Sequence, residues 1–303
     1  MVIRTGIIGF SEGNGHPFSF SAILNGYDEA RFGEAGWPVI LNYLRLQSPE
    51  RFGIDNARVT HAWTQDMGVT RKLCAACHID NACEDWANML DQVDALIIAR
   101  DDWESHFKIA MPFLKKGIPV FVDKPLTLDA AELDAFAPYL ATGQLMSCAG
   151  LRYAAELDPM RVSTPETGPF RLLSGTVLNR LDKYGIHLIE AVASLGGAFT
   201  RAISVTRLEA PHEAYQIQFA NGVPFQLNCL GEVGKTFHVS VFGTAGHAHF
   251  DLHDNFSAFR RTLEAFFTMV RSKRPAIDPA VTEHTIRLII AAGRLAPGET
   301  VRL

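Results

Sequence analysis

The sequence lacks long hydrophobic runs, blocks of like charge and an even number of cysteines. No apolar stretch approaches the roughly 18 residues that a membrane helix needs, and the amino terminus has no basic segment followed by an apolar core, as signal peptides do. A net charge of −5 without clusters is unlike the basic footprint of a nucleic-acid-binding protein. Five cysteines are more typical of a reducing compartment than of a disulfide framework. We therefore expect a cytoplasmic protein that binds neither nucleic acids nor membranes.

The first half of the chain alternates short apolar runs with segments of helical periodicity. The apolar runs are predicted strands, at residues 2–10, 58–64, 93–99, 119–122 and 144–149. The helical segments between them lie at residues 69–77, 84–90, 103–116 and 130–139. Short, continuously apolar strands separated by helices indicate a parallel sheet covered on both faces. Residues 1–150 are therefore predicted to form an α/β, Rossmann-type domain that binds a dinucleotide.

After residue 150 the pattern changes to consecutive strands. These are predicted at residues 170–178, 202–208, 214–219, 224–230, 236–242 and 248–252. Asn221-Gly222 is a strong hairpin signal between two of them. Helices are predicted at residues 183–195, 256–272 and 281–292. Residues 151–303 are thus predicted to form an α+β domain with a largely antiparallel sheet, for substrate binding and oligomerisation. Whether its last helix packs back on the first domain is left open.

The first predicted strand runs into the glycine-rich segment 9–15. Dinucleotide folds hold the pyrophosphate on such a loop, beside the positive end of the first helix. The spacing departs from G-x-G-x-x-G, because Ser11 and Asn14 stand where the second and third glycines would be. We expect the helix to begin near residue 19 or 21, and a simple glycine-rich turn is the alternative interpretation. The predicted cofactor contacts in this loop are Gly9, Phe10, Ser11, Gly13 and Asn14.

Two strand ends carry ionisable side chains. His16 follows the loop after the first strand, where it is predicted to contact substrate, or instead to cap a helix. The fourth predicted strand ends in Asp123-Lys124-Pro125, and the proline bars its predecessor from a helix. A lysine at the carboxyl end of such a strand points toward the crevice, where it can hold a substrate hydroxyl and the nicotinamide ribose. A surface turn with a salt-bridged lysine is the alternative.

These residues resemble motifs of the Gfo/Idh/MocA family, named after glucose–fructose oxidoreductase and inositol dehydrogenase. Asp123-Lys124-Pro125 is similar to its E-K-P motif, residues 93–120 with His106 are similar to the stretch before it, and Arg152-Tyr153 is similar to the start of its second domain. The resemblance implies bound NAD or NADP and hydride exchange at a hydroxyl-bearing carbon, usually of a sugar or polyol. It implies that Lys124 contacts the substrate hydroxyl and the cofactor, while Asp123 orients that site.

A second family motif, D-x-G-x-H-x-x-D, has a counterpart in the second domain. Gly185 and His187 match it, Glu190 replaces its last acid, and Lys183 stands where the family has an assisting aspartate. The resemblance implies that His187 is the general acid/base on the substrate hydroxyl. In a regular helix Lys183 and His187 share a face. Lys183 or Tyr184 then takes the part of the aspartate, or catalysis has been lost.

Further ligand contacts are predicted at the ends of other strands. Gln65 or Asp66 is expected to select the ribose hydroxyls, and Arg71 is near enough in sequence to meet a 2′-phosphate; NAD is favoured over NADP. Trp103 is expected to stack against the nicotinamide or simply to start a helix. The further predicted cofactor contacts are Gln65, Asp66, Ala99, Arg100, Asp101, Trp103, His106, Asp123, Lys124 and Pro125. The predicted substrate contacts are His16, Lys124, Arg152, Tyr184 and His187, and the predicted catalytic residues are Lys124, His187, Lys183 and Tyr184.

No metal site is predicted. The stretch Cys74-Ala75-Ala76-Cys77-His78 matches a haem-attachment string, but its place on a helix favours packing. His247, His249 and His253 recur at every second or fourth position along a strand and could bind a metal, but the family resemblance implies that the open face of this sheet serves subunit contacts. A homodimer or homotetramer through the second-domain sheet is therefore predicted.

The function predicted from the sequence is that of an NAD(P)-dependent oxidoreductase acting on a sugar, polyol or related small molecule. Two alternatives remain open. One is a non-catalytic dinucleotide-binding protein with a regulatory or subunit role, and the other is a redox-neutral enzyme with tightly bound NAD.

Overall fold

A computed structural model describes residues 2–161 and 166–303 of the chain. Contacts between residues divide it into two units. The first unit comprises Met1–Thr127, Ala135–Ser147 and Phe259–Ile277. The second comprises Leu128–Asp134, Cys148–Ala258 and Asp278–Leu303.

The first unit is built on a six-stranded sheet in which every pairing is parallel. Its strands are β1 (Ile3–Ile8), β2 (Ala57–Trp63), β3 (Asn81–Ala82), β4 (Ala95–Ile98), β5 (Val120–Val122) and β6 (Leu145–Ser147). They lie in the order β3-β2-β1-β4-β5-β6, which is the Rossmann order. All residues of β4, β5 and β6 are buried, as expected for strands covered on both faces. The predicted parallel α/β sheet is confirmed, and the exposed pair β3 is an additional strand.

Helices of the first unit follow most of its strands. They are α1 (His16–Asn25), α2 (Glu29–Glu34), α3 (Pro38–Arg45), α4 (Met67–Ala76) and α5 (His106–Lys115). The expected start of α1 at residue 19 or 21 is wrong, because α1 begins at His16 with Pro17 in its first turn, a favoured place for proline. The segment 84–90, predicted as a helix, is a 3-10 turn at Trp86–Asp91. The next helix, α6 (Ala130–Ala141), has residues in both units.

The second unit contains a seven-stranded sheet of mostly antiparallel pairs. Its strands are β7 (Phe170–Val177), β8 (Ala202–Arg207), β9 (Glu213–Phe219), β10 (Pro224–Cys229), β11 (Phe237–Gly243), β12 (His247–Asp251) and β13 (Thr300–Arg302). The order is β12-β11-β7-β10-β9-β8-β13, and β7 pairs with β10 in parallel. Gly222, with φ of 83°, turns the chain between β9 and β10, which confirms the predicted hairpin.

The remaining helices are α7 (Asp158–Arg161), α8 (Ile186–Ala193), α9 (Asn255–Ser272) and α10 (Pro279–Gly293). The prediction of a regular helix over residues 183–195 is wrong at its start, because Leu181–Gly185 forms a π-helical turn before α8 begins. A π turn bonds residue i to i+5, so Lys183 and His187 are not one regular α-helical turn apart.

The segment Phe259–Ile277 supplies aromatic side chains to the core of the first unit. Phe259 lies 5.2 Å from Phe20 between ring centroids, and Phe266 lies 5.9 Å from Phe121. Phe20, Phe121 and Phe266 are each at most 2% exposed. The first unit is therefore completed by residues far along the chain from its sheet.

The described residues contain neither a disulfide bond nor a helix suited to span a membrane. All five cysteines are free thiols. Across residues 2–161 and 166–303, no helix has both the length and the apolarity required to cross a bilayer.

Candidate active site

The carboxyl ends of β1, β4 and β5 define the candidate site in the first unit. From β1 the chain adds β2 and β3 on one side of the sheet and then β4, β5 and β6 on the other, so the strand order reverses between β1 and β4. In open α/β sheets, ligands bind at such a switch point, beyond the carboxyl ends of the strands. The segments that follow these strands begin at Gly9, Ala99 and Asp123. The amide of Ala99 donates to the carbonyl of Ile8, at 2.8 Å, which joins two of the strand ends.

Glycines shape the loop after β1 in two ways. A Cβ atom on Gly9 would lie 2.4 Å from Cγ of Pro17, and one on Gly15 would lie 2.5 Å from Cδ1 of Ile40, so packing requires both glycines. Gly13 has φ of 77° and open space around it, so its requirement is conformational.

Backbone amides in this loop are available for an anion. Among the described residues, no hydrogen bond uses the amides of Ser11, Glu12 or Gly13. The amide of His16, by contrast, donates to Oδ1 of Asn14 at 2.8 Å. Consecutive free amides in a glycine-containing turn suit a pyrophosphate, so the loop fits a dinucleotide although its spacing differs from G-x-G-x-x-G.

Lys124 is buried at the end of β5, 3% exposed, and faces an acid from the neighbouring loop. Its Nζ lies 3.7 Å from Oδ2 of Asp101. The hydroxyl of Ser11 donates to the carboxylate of Asp101, and the amide of Asp101 donates back to that hydroxyl at 3.1 Å. A chain of polar contacts therefore connects the glycine loop, the loop after β4 and the lysine.

Asp123 is the centre of a second set of contacts. Its Oδ2 lies 2.5 Å from Nδ1 of His16 and accepts from Nδ2 of Asn14 at 3.2 Å. Its Oδ1 accepts from the amide of Lys124 at 2.9 Å. Burial alone would raise the pKa of Asp123, but His16 and the Lys124 ammonium lower that pKa to about 2. The carboxylate thus stays ionised and holds both His16 and the backbone of the lysine.

Gln65 and Arg100 hold the start of the glycine loop. The amide group of Gln65 makes two hydrogen bonds with the backbone of Phe10, accepting at 3.1 Å and donating at 2.6 Å. Arg100 donates to Oε1 of Gln65 at 3.2 Å and to both carboxylate oxygens of Asp102, at 2.8 and 2.7 Å. Asp66 caps helix α4 by accepting from the amide of Val69 at 3.1 Å. Both residues predicted to select the ribose are thus engaged in local structure.

His106 forms contacts with both the loop after β4 and the loop after β5. It is fully buried, with Nδ1 3.0 Å from the carbonyl of Pro125 and Nε2 3.1 Å from the carbonyl of Arg100. Burial lowers the pKa of His106, although hydrogen bonds with the carbonyls of Leu126 and Arg100 act in the opposite direction. Its contacts position Pro125 and Arg100, while Trp103 lies in a 3-10 turn at the start of α5.

The predicted residues of the second unit form two groups. The rings of Tyr184 and His187 are 5.7 Å apart between centroids, and both pack on Phe237, at 5.8 and 5.5 Å. Arg152 forms a buried ion pair with Glu190, with 2.6 Å between Nη1 and Oε2. Burial would lower the pKa of Arg152, but the Glu190 carboxylate raises it overall. The guanidinium predicted to bind substrate therefore has a carboxylate partner already.

Sequence reasoning missed Asp102 and Phe237. Asp102 adjoins predicted contacts, and its spacing from Arg100 was the available signal. Phe237 meets His187 only through the fold of the sheet. In the parts of the chain that the structure describes, no group of three or more His, Cys, Asp or Glu side chains could hold a metal ion.

Comparison with known proteins gives one family match. Residues 32–148 match the family described as "Oxidoreductase family, NAD-binding Rossmann fold", Gfo/Idh/MocA. A curated protein of Amycolatopsis mediterranei, named as the oxidoreductase subunit of a UDP-kanosamine synthase, is 30% identical over 138 residues. That alignment covers 38% of this chain and 38% of the relative, so the similarity spans well under half of each protein.

Solved structures match over nearly the whole chain. A myo-inositol 2-dehydrogenase from Lactobacillus plantarum has a TM-score of 0.76 at 15% identity, covering 97% of both chains. A scyllo-inositol dehydrogenase from Lactobacillus casei, with bound NAD(H) and scyllo-inositol, has a TM-score of 0.71 at 14% identity, covering 100% of this chain and 99% of the other. A UDP-N-acetylglucosamine 3-dehydrogenase from Acidithiobacillus ferrooxidans has a TM-score of 0.70 at 16% identity, covering 96% and 97%. At these identities the likeness shows the shared fold.

Proposed function

We propose that this chain, whose residues 32–148 match the Gfo/Idh/MocA oxidoreductases with their NAD-binding Rossmann fold, belongs to that family and is a dehydrogenase or reductase. It would use NAD in preference to NADP and act at a hydroxyl-bearing carbon of a sugar, polyol or related small molecule. The observation that carries the proposal is the buried Lys124, which faces Asp101 at the carboxyl edge of the parallel sheet. The sugar and polyol dehydrogenases with this fold support the substrate class.

The described contacts assign parts to residues of the first unit. The free amides of Ser11, Glu12 and Gly13 would hold the pyrophosphate of the cofactor. Bound NAD would accept the hydride that leaves the hydroxyl-bearing carbon. The Lys124 ammonium would donate a hydrogen bond to the substrate oxygen and stabilise the negative charge that develops there as its proton departs. Asp101 and Asp123 would hold the lysine in place.

The acceptor of the substrate proton is proposed from the family resemblance. The resemblance assigns general acid/base catalysis to His187, and it places Tyr184 or Lys183 in the role of the family's aspartate. Replacing His187 by alanine should then lower kcat by about 10²–10⁴-fold and leave NAD affinity unchanged. Replacing Lys183 by methionine tests whether Lys183 has the second role, and an unchanged kcat would leave that role to Tyr184.

The experiment that tests the proposal joins binding to turnover. Calorimetric titration should show tighter binding of NAD than of NADP. Purified protein with NAD should then form reduced nicotinamide, measured by absorbance, with at least one member of a panel of inositols, sugars and sugar nucleotides. Absence of saturable binding to either dinucleotide would contradict the proposal.

The replacement of the family's aspartate by Lys183 favours a second candidate, a dinucleotide-binding protein without dehydrogenase activity. It predicts saturable NAD binding but no reduced nicotinamide with any panel member. A redox-neutral enzyme would instead retain NAD through purification and convert substrate without net reduction of added NAD.

We also propose an assembly and a location for the protein. The polar row His247, His249 and Asp251 on β12 is exposed, which supports a homodimer or homotetramer formed through the second sheet. Light scattering over a range of concentrations would test this, and a monomer throughout would contradict it. Five free thiols support the cytoplasm as the location.

A further inference from the structure

A cavity in the second unit is lined by residues that none of the proposed roles uses. Its volume is about 340 Å³, within the size range of small-molecule sites. Its polar lining consists of Arg180, Asp182, Arg207, Glu213, Tyr215 and Arg294. Leu181 and Ile289 add apolar surface. Charged groups of both signs around one apolar wall are typical of a site that binds a polar metabolite.

Both carboxylates of the cavity have partners within the protein. Oδ2 of Asp182 accepts from Nη2 of Arg180 at 2.9 Å. Oε2 of Glu213 accepts from the amide of Leu181 at 2.8 Å. Asp182 therefore neutralises the charge of Arg180. Glu213 uses one carboxylate oxygen in this contact, and its Oε1 remains able to accept a hydrogen bond from a ligand.

The lining has three arginines but only two carboxylates, so one positive charge is in excess. Arg207 donates from Nη1 to the carbonyl of Leu295 at 2.9 Å, which uses one of its five N–H groups. Within residues 2–161 and 166–303, neither Arg207 nor Arg294 forms an ion pair. The carboxyl end of α10 precedes Arg294, but its partial negative charge is smaller than that of a guanidinium. Guanidinium groups bind phosphates and carboxylates in two-point geometry, so the excess charge suits an anion.

Tyr215 offers a hydroxyl beside this charge. Its side chain is 2% exposed, and none of the described residues forms a hydrogen bond with its hydroxyl. Burial, then the nearby Glu213, raises the pKa of Tyr215 to about 12, so the group remains a donor at neutral pH. A phenol that donates next to a carboxylate that accepts suits the hydroxyl groups of a ligand.

We propose that this cavity is a second ligand site, which binds a small hydroxylated organic anion: a sugar phosphate or a sugar acid. Arg207 and Arg294 bind the phosphate or carboxylate, and Glu213 and Tyr215 bind the hydroxyls. The site is independent of the dehydrogenase proposal, because none of its residues belongs to the groups assigned to NAD or to the reacting substrate.

Calorimetric titration of the full chain tests the site. The probes are glucose 6-phosphate, gluconate, uncharged glucose and inorganic phosphate. One of the two organic anions should bind saturably, with one site per chain, and more tightly than glucose. Which of them binds distinguishes the phosphate from the carboxylate as the recognised group. Lys124→Met should retain this binding, which separates it from binding at the proposed active site.

Variants locate the binding in the cavity. Arg294→Gln should weaken binding of the organic anion by about tenfold or more. Arg302→Gln, which makes the same charge change on β13, should leave that affinity unchanged. Tyr215→Phe should weaken binding of the organic anion but not binding of inorganic phosphate. Binding of neither organic anion, glucose binding as tight as either, or equal losses in the two arginine variants would overturn the proposal.

Discussion

At the scale of single residues, the candidate site depends on pairings between distant parts of the chain. His16 and Asp123 are 107 positions apart and meet at 2.5 Å. The sequence predicted both as site residues, since each follows a strand, but it predicted neither their contact nor that of Ser11 with Asp101. Such contacts arise from strand order, and a single sequence carries no signal for which strand ends become neighbours.

Lys124 is expected to be essential for turnover. Lys124→Met removes the donor that would stabilise charge on the substrate oxygen, so kcat should fall by about 10²–10³-fold. Lys115→Met, which removes an exposed lysine at the end of α5, is the matched control and should keep kcat. Steady-state kinetics on a panel substrate gives both values. A lysine variant as active as the control would remove Lys124 from the mechanism.

Ionised Asp123 should stabilise the fold in a defined range of pH. Its pKa is lowered from 3.8 to about 2, so its contribution is complete above pH of about 4 and is lost as the pH falls toward about 2. Asp123→Asn should therefore cost about 2 kcal/mol near neutral pH, and the difference from wild type should shrink through that acid range. Denaturant unfolding at a series of pH values measures it, with the exposed Asp80→Asn as control. A pH-independent difference would contradict this origin.

At the scale of elements, continuously apolar strands and most segments with helical periodicity were predictable, whereas several short or irregular elements were not. The strands β1, β2, β4, β5 and β6 were all predicted, because buried parallel strands read as apolar runs. The two-residue strand β3 and the short helices α2 and α3 were missed. β3 and α2 are too short to show a period, whereas the buried apolar residues of α3, Ile40, Leu41 and Leu44, do have helical spacing. The π turn before α8 was also missed, because helical propensity does not distinguish it from an α-helix.

The loop after β1 should lose NAD affinity when its left-handed residue is changed. Gly13→Ala and Gly36→Ala each place a Cβ on a residue with positive φ, 77° and 86°, in open space. Both should cost about 1–2 kcal/mol of stability. NAD binding, measured by calorimetry, should weaken in the Gly13 variant alone. Equal affinities in the two variants would show that the loop does not hold the cofactor.

Gly185 should be required by packing where the π turn meets α8. A Cβ there would lie 3.0 Å from Cδ1 of Leu181 and 3.1 Å from Sγ of Cys229. Gly185→Ala is therefore expected to destabilise the protein by about 1–3 kcal/mol. Gly293→Ala, in α10 with no atom within 4 Å, should instead stabilise it by about 0.4–1 kcal/mol. Denaturant unfolding compares the two, and a neutral Gly185→Ala would show that the neighbours yield.

At the scale of the whole molecule, the order of an α/β part and an α+β part was predictable from the change in pattern near residue 150. The return of the segment Phe259–Ile277 to the first unit was not. Its sequence shows an amphipathic helix, but an apolar helical face does not say which core it joins.

Binding of NAD should stabilise the folded protein against heat. A ligand that binds only the folded state at about 100 times its Kd adds about 2.7 kcal/mol. The unfolding transition that NAD shifts should shift less with an equal concentration of NADP, and it should also shift less in Gly13→Ala at that NAD concentration. Calorimetric scans of the whole chain measure all three, and a larger shift with NADP would reverse the cofactor preference.

The aromatic contribution of Phe259–Ile277 also has a consequence for biosynthesis. Phe20 and Phe121 are synthesised long before the rings that pack on them, Phe259 and Phe266. Until then the nascent sheet exposes an apolar surface that no earlier segment covers in the same way. The first unit is therefore expected to complete its folding only after the segment Phe259–Ile277 has been synthesised. Release of a chain truncated before residue 259 should yield a species that chaperones retain.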